Sequence, residues 1–264
     1  MLKQIRHYFS VYIKFIATSS SVALSFRTSF VLLVIMDIFF YLSSLGAVEF
    51  IFGHISHIGS WHKSELMFFI SFMLLIDNLH MGLVSQNFWQ FSFDLRSGML
   101  DFILLRPLHS IFNIFFRNVR PSTILNFGLA TYFCIHYGIA AGLTTMSWCL
   151  LPLLLLLAII LLVQMEIILC TLTFWLIQGN GINFLRMQMQ QIGRWPDFVY
   201  EFWTRKFFTF FLPILLIGSA PVKFLLFPQM GKELILMLGA IIITNFIMFR
   251  FWKWGLKNYH SASS

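Results

Sequence analysis

Long apolar runs separated by short polar stretches leave this chain few ways to fold. Between Cys149 and Cys170 only Gln164 and Glu166 are polar, over a stretch as long as a bilayer is thick; a helical crossing needs ~20 mostly apolar residues. Comparable segments recur, so the predicted spans are roughly 29–52, 66–88, 121–142, 148–177, 207–227 and 233–252. The chain has 59% hydrophobic and 11% charged residues, where soluble domains carry roughly 25% charged. A water-soluble core is therefore excluded, and six spans leave no room for a separate soluble domain. The fold class expected is all-α: a polytopic membrane protein with six transmembrane helices and a single domain over 1–264.

Two segments need finer reading. Over residues 2–16, Leu2, Ile5, Phe9, Tyr12, Ile13 and Ile16 share one helical face, and Lys3, Arg6, His7, Ser10 and Lys14 lie opposite. This predicts an amphipathic interfacial helix within 1–28, its cations near anionic lipid. The fifth apolar segment is interrupted by Pro213, Gly218, Pro221 and Pro228, so a simple crossing is not expected there.

A formal charge of +8 would suggest nucleic acid in a soluble protein, but in a membrane protein the cations must first be sorted by side. With an inside N-terminus, 89–120 and 178–206 become cytoplasmic loops. Fifteen of the 18 Lys and Arg then face inward, leaving Lys63, Lys223 and Lys232 outside. That bias predicts an even span count with both termini cytoplasmic, and no nucleic-acid partner.

Few residues look chemical. Asp37, Asp77 and Glu166 fall inside spans, at ~2.5–3.5 kcal/mol each near the bilayer centre. They are candidates for a polar path or proton site, against the plainer reading of helix-to-helix bonding. His54 and His57 could share a helical face in an outer loop, but nothing fixes a metal geometry and no metal site is expected. Cys134, Cys149 and Cys170 lie in apolar stretches and read as buried thiols. Gly231-Lys232 is followed by Glu233 and lacks the earlier glycine of a phosphate-binding loop, so the chain is not expected to hydrolyse ATP by that chemistry.

The richest segment is the loop 89–120. Apolar residues at 95, 99, 102 and 103 recur at helical spacing, predicting a short surface helix that ends before Pro107. Taken alone, it reads more readily as a connecting helix among ordinary cationic anchors. Gly98-Met99-Leu100-Asp101-Phe102 and Leu104-Leu105-Arg106-Pro107-Leu108 resemble the inner-loop signature of bacterial ATP-binding-cassette (ABC) exporter permeases of the six-helix, type-2 architecture. Further likeness follows in order in Phe174-Trp175, Trp195-Pro196-Asp197-Phe198-Val199-Tyr200, Phe211-Leu212-Pro213 and Gly218-Ser219-Ala220-Pro221.

The resemblance implies a coupling helix in the first inner loop and a broken re-entrant segment before the last span. It implies a separate ATP-binding cassette subunit carrying ATP and magnesium, a second permease copy or paralogue, and a bacterial inner membrane. Residues 94–108 become the docking surface, with Arg96, Gly98, Leu100, Asp101, Leu105, Arg106 and Pro107 as the coupling set. Two rivals remain: a proton-coupled secondary transporter using the buried acids, weakened by the missing internal repeat, and an intramembrane lipid-modifying enzyme, for which no nucleophile, base and orienting group form a set. No linear motif specifies the substrate.

Overall fold

The computed structural model describes residues 2–176 and 179–259. Within them regular structure is helical, apart from an isolated bridge between Ile58 and Trp61. Among the described residues four helices are long and apolar enough to cross a membrane: α2 (Arg27–Phe52), the continuous helix Lys63–Arg96, Thr145–Phe174 and the last helix, Lys232–Lys257. A fifth candidate is the pair Phe202–Phe211 and Leu215–Leu226, bent by 96°. The chain is an all-α polytopic membrane protein with a broken segment before its last span.

The helix Lys63–Arg96 is the axis of the bundle. It consists of α3 (Lys63–His80), one wider π-helical turn at Met81–Ser85, and α4 (Gln86–Arg96). Glu65 starts it by accepting the His62 backbone N–H at 2.7 Å, which satisfies one of the free donors of a helix N-terminus. From Leu66 to Asn78 every residue is buried, as an all-round apolar helix requires. α7 (Ser122–Ala140) packs along α3 and α2, where the third span is expected. Its 19 residues would reach about 28 Å, but Asn126 and His136 dilute its apolar content.

The bundle has two ends. The near end carries α1 (Leu2–Ser25), α5 (Met99–Leu104), α6 (Ser110–Phe115) and the C-terminal turns of α8 (Thr145–Thr171) and α12 (Lys232–Lys257). α1 lies across α6: the Tyr8 hydroxyl accepts the His109 N–H at 3.0 Å, Ser19 Oγ accepts that of Val119 at 3.1 Å, and Tyr8, Tyr12 and Phe15 all reach Phe112. Of the predicted apolar face, Tyr12 and Ile16 are half-buried, whereas Phe9 and Ile13 stay exposed. The Leu2 and Ile5 side chains lie outside the described residues.

The segment expected as a loop over 178–206 does not stay at one end; residue 178 itself lies outside the described residues. α9 (Asn180–Gly193) starts at the near end, where Asn183 donates to Ser92 Oγ of α4 at 3.1 Å. Arg194 meets Asp77, in the last turn of α3 and so midway along the helix Lys63–Arg96, at 3.0 Å. Phe198 then packs on Trp61 and Gly59, beyond the far end of the same axis. Residues 183–198 thus run the length of the bundle. The helix stops at Gly193 because Pro196 follows shortly and the residue before a proline avoids helical geometry.

The expected fifth span, 207–227, is in turn a hairpin. α10 (Phe202–Lys206) continues as one wide turn to Phe211, the chain breaks at Leu212-Pro213, and α11 (Leu215–Leu226) returns. Arg205 of α10 and Lys223 of α11 both pair with Asp197. Ser147 at the start of α8 donates to the Leu225 carbonyl at 2.8 Å. The pair therefore leaves and re-enters at the far end, which makes it re-entrant. Lys223 and Arg205 also reach Glu233 of α12, at 2.7 and 4.0 Å.

Candidate functional site

Two constructions stand out: a knuckle at the near end and a set of buried ion pairs. α4 ends at Arg96, and Gly98 turns the chain with φ 72°, the left-handed region that glycine enters without steric cost. The short helix predicted before Pro107 is α5, and Asn113 of α6 holds its end by donating to the Ile103 carbonyl at 2.7 Å. Leu100 and Ile103 point inward and pack in an apolar cluster with Phe91, Phe115 and Trp252, whose rings lie 5.4–5.7 Å apart, in the range of favourable aromatic pairs. Trp252 Nε1 donates to Ser110 Oγ at 2.9 Å, which ties α12 to α6.

Met99, Phe102 and Leu105 point outward, 48%, 66% and 81% exposed. Arg96, Arg106 and Pro107 are exposed beside them, and Asp101 is half-buried. Leu100 is 0% exposed, so within the coupling set it supports the knuckle from below and offers no contact surface. Gly98 is likewise buried. Gly98→Ala forces a Cβ into the left-handed region at a cost of roughly 1–2 kcal/mol. A matching fall in the thermal unfolding temperature of the purified chain checks this.

Each of the three intramembrane acids is buried and faces an arginine from another part of the chain. Arg120 Nη2 donates to both Asp37 oxygens at 3.0 Å, and Asn126 Nδ2 adds a third bond at 3.1 Å. Asp77 holds Arg194, whose guanidinium also sits 4.8 Å from the centre of the Phe40 ring. Glu166 is the most enclosed: Oε2 meets His80 Nε2 at 2.5 Å, and Oε1 accepts Arg186 Nη1 at 2.7 Å and Gln190 Nε2 at 2.5 Å. Asn183, Arg186, Gln190 and Arg194, three or four residues apart, thus form one polar face along α9. That spacing was the available signal. It was hidden because Arg120, Arg186 and Arg194 also read as inside anchors.

The outer-loop histidines do not converge. His54 Nδ1 lies 3.0 Å from the Phe50 carbonyl and His57 Nδ1 3.0 Å from Ser56 Oγ. Among the described residues no three His, Cys, Asp or Glu gather as a metal would require.

What the geometry offers is a rigid outward-facing knuckle wired to the bundle, and interior charges committed to holding helices together. That suits a transport subunit better than a catalyst. No curated protein and no solved structure matches the chain. The family model for "ABC-2 family transporter protein" matches residues 32–263, nearly the whole bundle, including the knuckle, the polar face of α9 and the re-entrant hairpin. The chain therefore belongs to the ABC-2 family of transporter proteins, as the membrane permease component of an ABC transporter.

Proposed function

We propose that this permease is the membrane half of an ATP-driven exporter in a bacterial inner membrane, worked by a separate ATP-binding subunit that docks on residues 94–108. The observation that carries this reading is the knuckle itself. Met99, Phe102 and Leu105 form an uncovered apolar ridge flanked by Arg96 and Arg106, on a base that reaches α4, α6, α8 and α12 through Leu100 and Ile103. Large uncovered apolar patches mark interaction sites. A push there moves a packed cluster, and packed cores transmit displacement instead of absorbing it.

Six crossings complete the reading: α2, Lys63–Arg96, α7, α8, α9 with its extension to Phe198, and α12. The near end is cytoplasmic. With Arg205 and Lys206 moved to the far end and Arg186 and Arg194 inside the bundle, eleven Lys and Arg gather at the near end. Five remain at the far end, so the positive-inside bias survives. A second permease, copy or paralogue, supplies the opposite wall of the substrate path, and the partner subunit binds ATP and magnesium. The buried acids do not favour proton coupling, because each already neutralises an arginine.

The test is co-purification of the permease with the ATP-binding subunit from membranes, followed by ATP-dependent transport in proteoliposomes. Phe102→Glu with Leu105→Glu is expected to reduce both at least tenfold while leaving the unfolding temperature of the permease within a few degrees. Transport by the purified permease alone, driven by a proton gradient without ATP, would sink the exporter reading.

A further inference from the structure

A cavity of about 570 Å³ lies between α1, the start of α2 and residues 117–122, within the 300–1,000 Å³ typical of ligand sites. Its two walls differ in chemistry. One is apolar, with Phe15 and Val22 of α1 and Phe30 and Leu33 of α2. The other is lined by Arg106, Arg117 and Arg120 beside Asn118. No acidic residue lines either wall.

Counting charge narrows the occupant. Arg117 is balanced by Asp94 and Arg120 by Asp37, whereas Arg106 enters no ion pair among the described residues. Among the described residues the surplus is therefore one positive charge. Each guanidinium carries five N–H donors. The bonds to Asp94, Asp37 and Ser122 use Nη2 of Arg117 and Nη2 and Nε of Arg120, so further N–H groups can meet phosphate oxygens.

The position narrows it further. Val22 and Phe26, at the cavity rim, are 56% and 66% exposed, which gives hydrocarbon a way out along α1 and α2. A free phosphate would leave the phenylalanine wall against water. A zwitterionic lipid would bring its own cation toward three arginines. We infer that this cavity binds the headgroup of an anionic phospholipid, with Arg106 meeting its single phosphodiester charge and its chains lying against α1 and α2.

The full-length permease, purified in a neutral detergent without its partner, tests this separately from any role of Arg106 in docking. Native mass spectrometry reads the lipid retained after titration with phosphatidylglycerol or phosphatidylcholine, and glycerol 3-phosphate serves as a soluble competitor. Wild type is expected to retain phosphatidylglycerol at least tenfold more tightly than phosphatidylcholine. Arg106→Gln should weaken that retention at least fivefold, and Ala23→Trp, which fills the cavity from α1 without touching a charge, should do the same. Arg250→Gln, on the exposed side of α12, should leave it unchanged. Equal retention of the two lipids, wild-type retention in a folded Arg106→Gln or Ala23→Trp, or displacement of the lipid by equimolar glycerol 3-phosphate would each overturn the inference.

Discussion

Arg186→Met is expected to lower the unfolding free energy by about 3–5 kcal/mol, the usual cost of removing one partner from a buried ion pair. Both partners are enclosed: the Arg186 side chain is 1% and that of Glu166 2% exposed. Without Arg186 the carboxylate keeps His80 and Gln190 but loses its permanent cation. The double variant Arg186→Met with Glu166→Gln removes both charges and should recover most of the loss, because a neutral pair of similar volume is often no worse than the ion pair it replaces. Thermal unfolding of the detergent-solubilised chain, with the two single variants closing the cycle, gives the coupling. A single Arg186→Met variant as stable as wild type would show that Glu166 draws its compensation elsewhere.

Lys223→Met should have the second largest effect, roughly 3 kcal/mol by the same reasoning, concentrated at the far end. Lys223 is 8% exposed and stands 2.6 Å from Asp197 and 2.7 Å from Glu233. Its loss leaves two carboxylates facing each other, with the half-exposed Arg205 alone to balance them. Because α10, α11, α12 and the segment after α9 all meet there, the expected result is a loosened hairpin in an otherwise intact bundle. Hydrogen exchange should rise within 197–226 and remain at wild-type levels in α3 and α8. Uniformly faster exchange would contradict a local role.

Hydropathy made most of this architecture legible. The segments around α2, α3, α8 and α12 announce themselves because their apolar stretches match a bilayer, and Pro213 marks the break between α10 and α11 because a proline removes a helical donor. The short helix α5 was legible from spacing, and its two faces were not. Residues 99, 102 and 103 share a period, yet only the fold decides that Ile103 is covered and Phe102 bare.

α9 escaped for a sharper reason. Arg186, Gln188, Gln190, Gln191 and Arg194 make it look like a solvated loop, and the acids that neutralise it stand in α3 and α8. A window that averages neighbours cannot register a partner more than a hundred residues away, as Asp77 is from Arg194. The same blindness left residues 183–198, which run the length of the bundle, inside an expected loop.

The polar face of α9 also constrains how the protein is made. At ~2.5–3.5 kcal/mol for each arginine near the bilayer centre, this stretch has no reason to leave the insertion machinery for lipid by itself. Glu166 and Asp77 are synthesised first and stand ready on helices already in place. On the six-crossing reading proposed above, the fifth crossing is a client of the earlier ones during biogenesis, integrated by docking onto their carboxylates after they have partitioned.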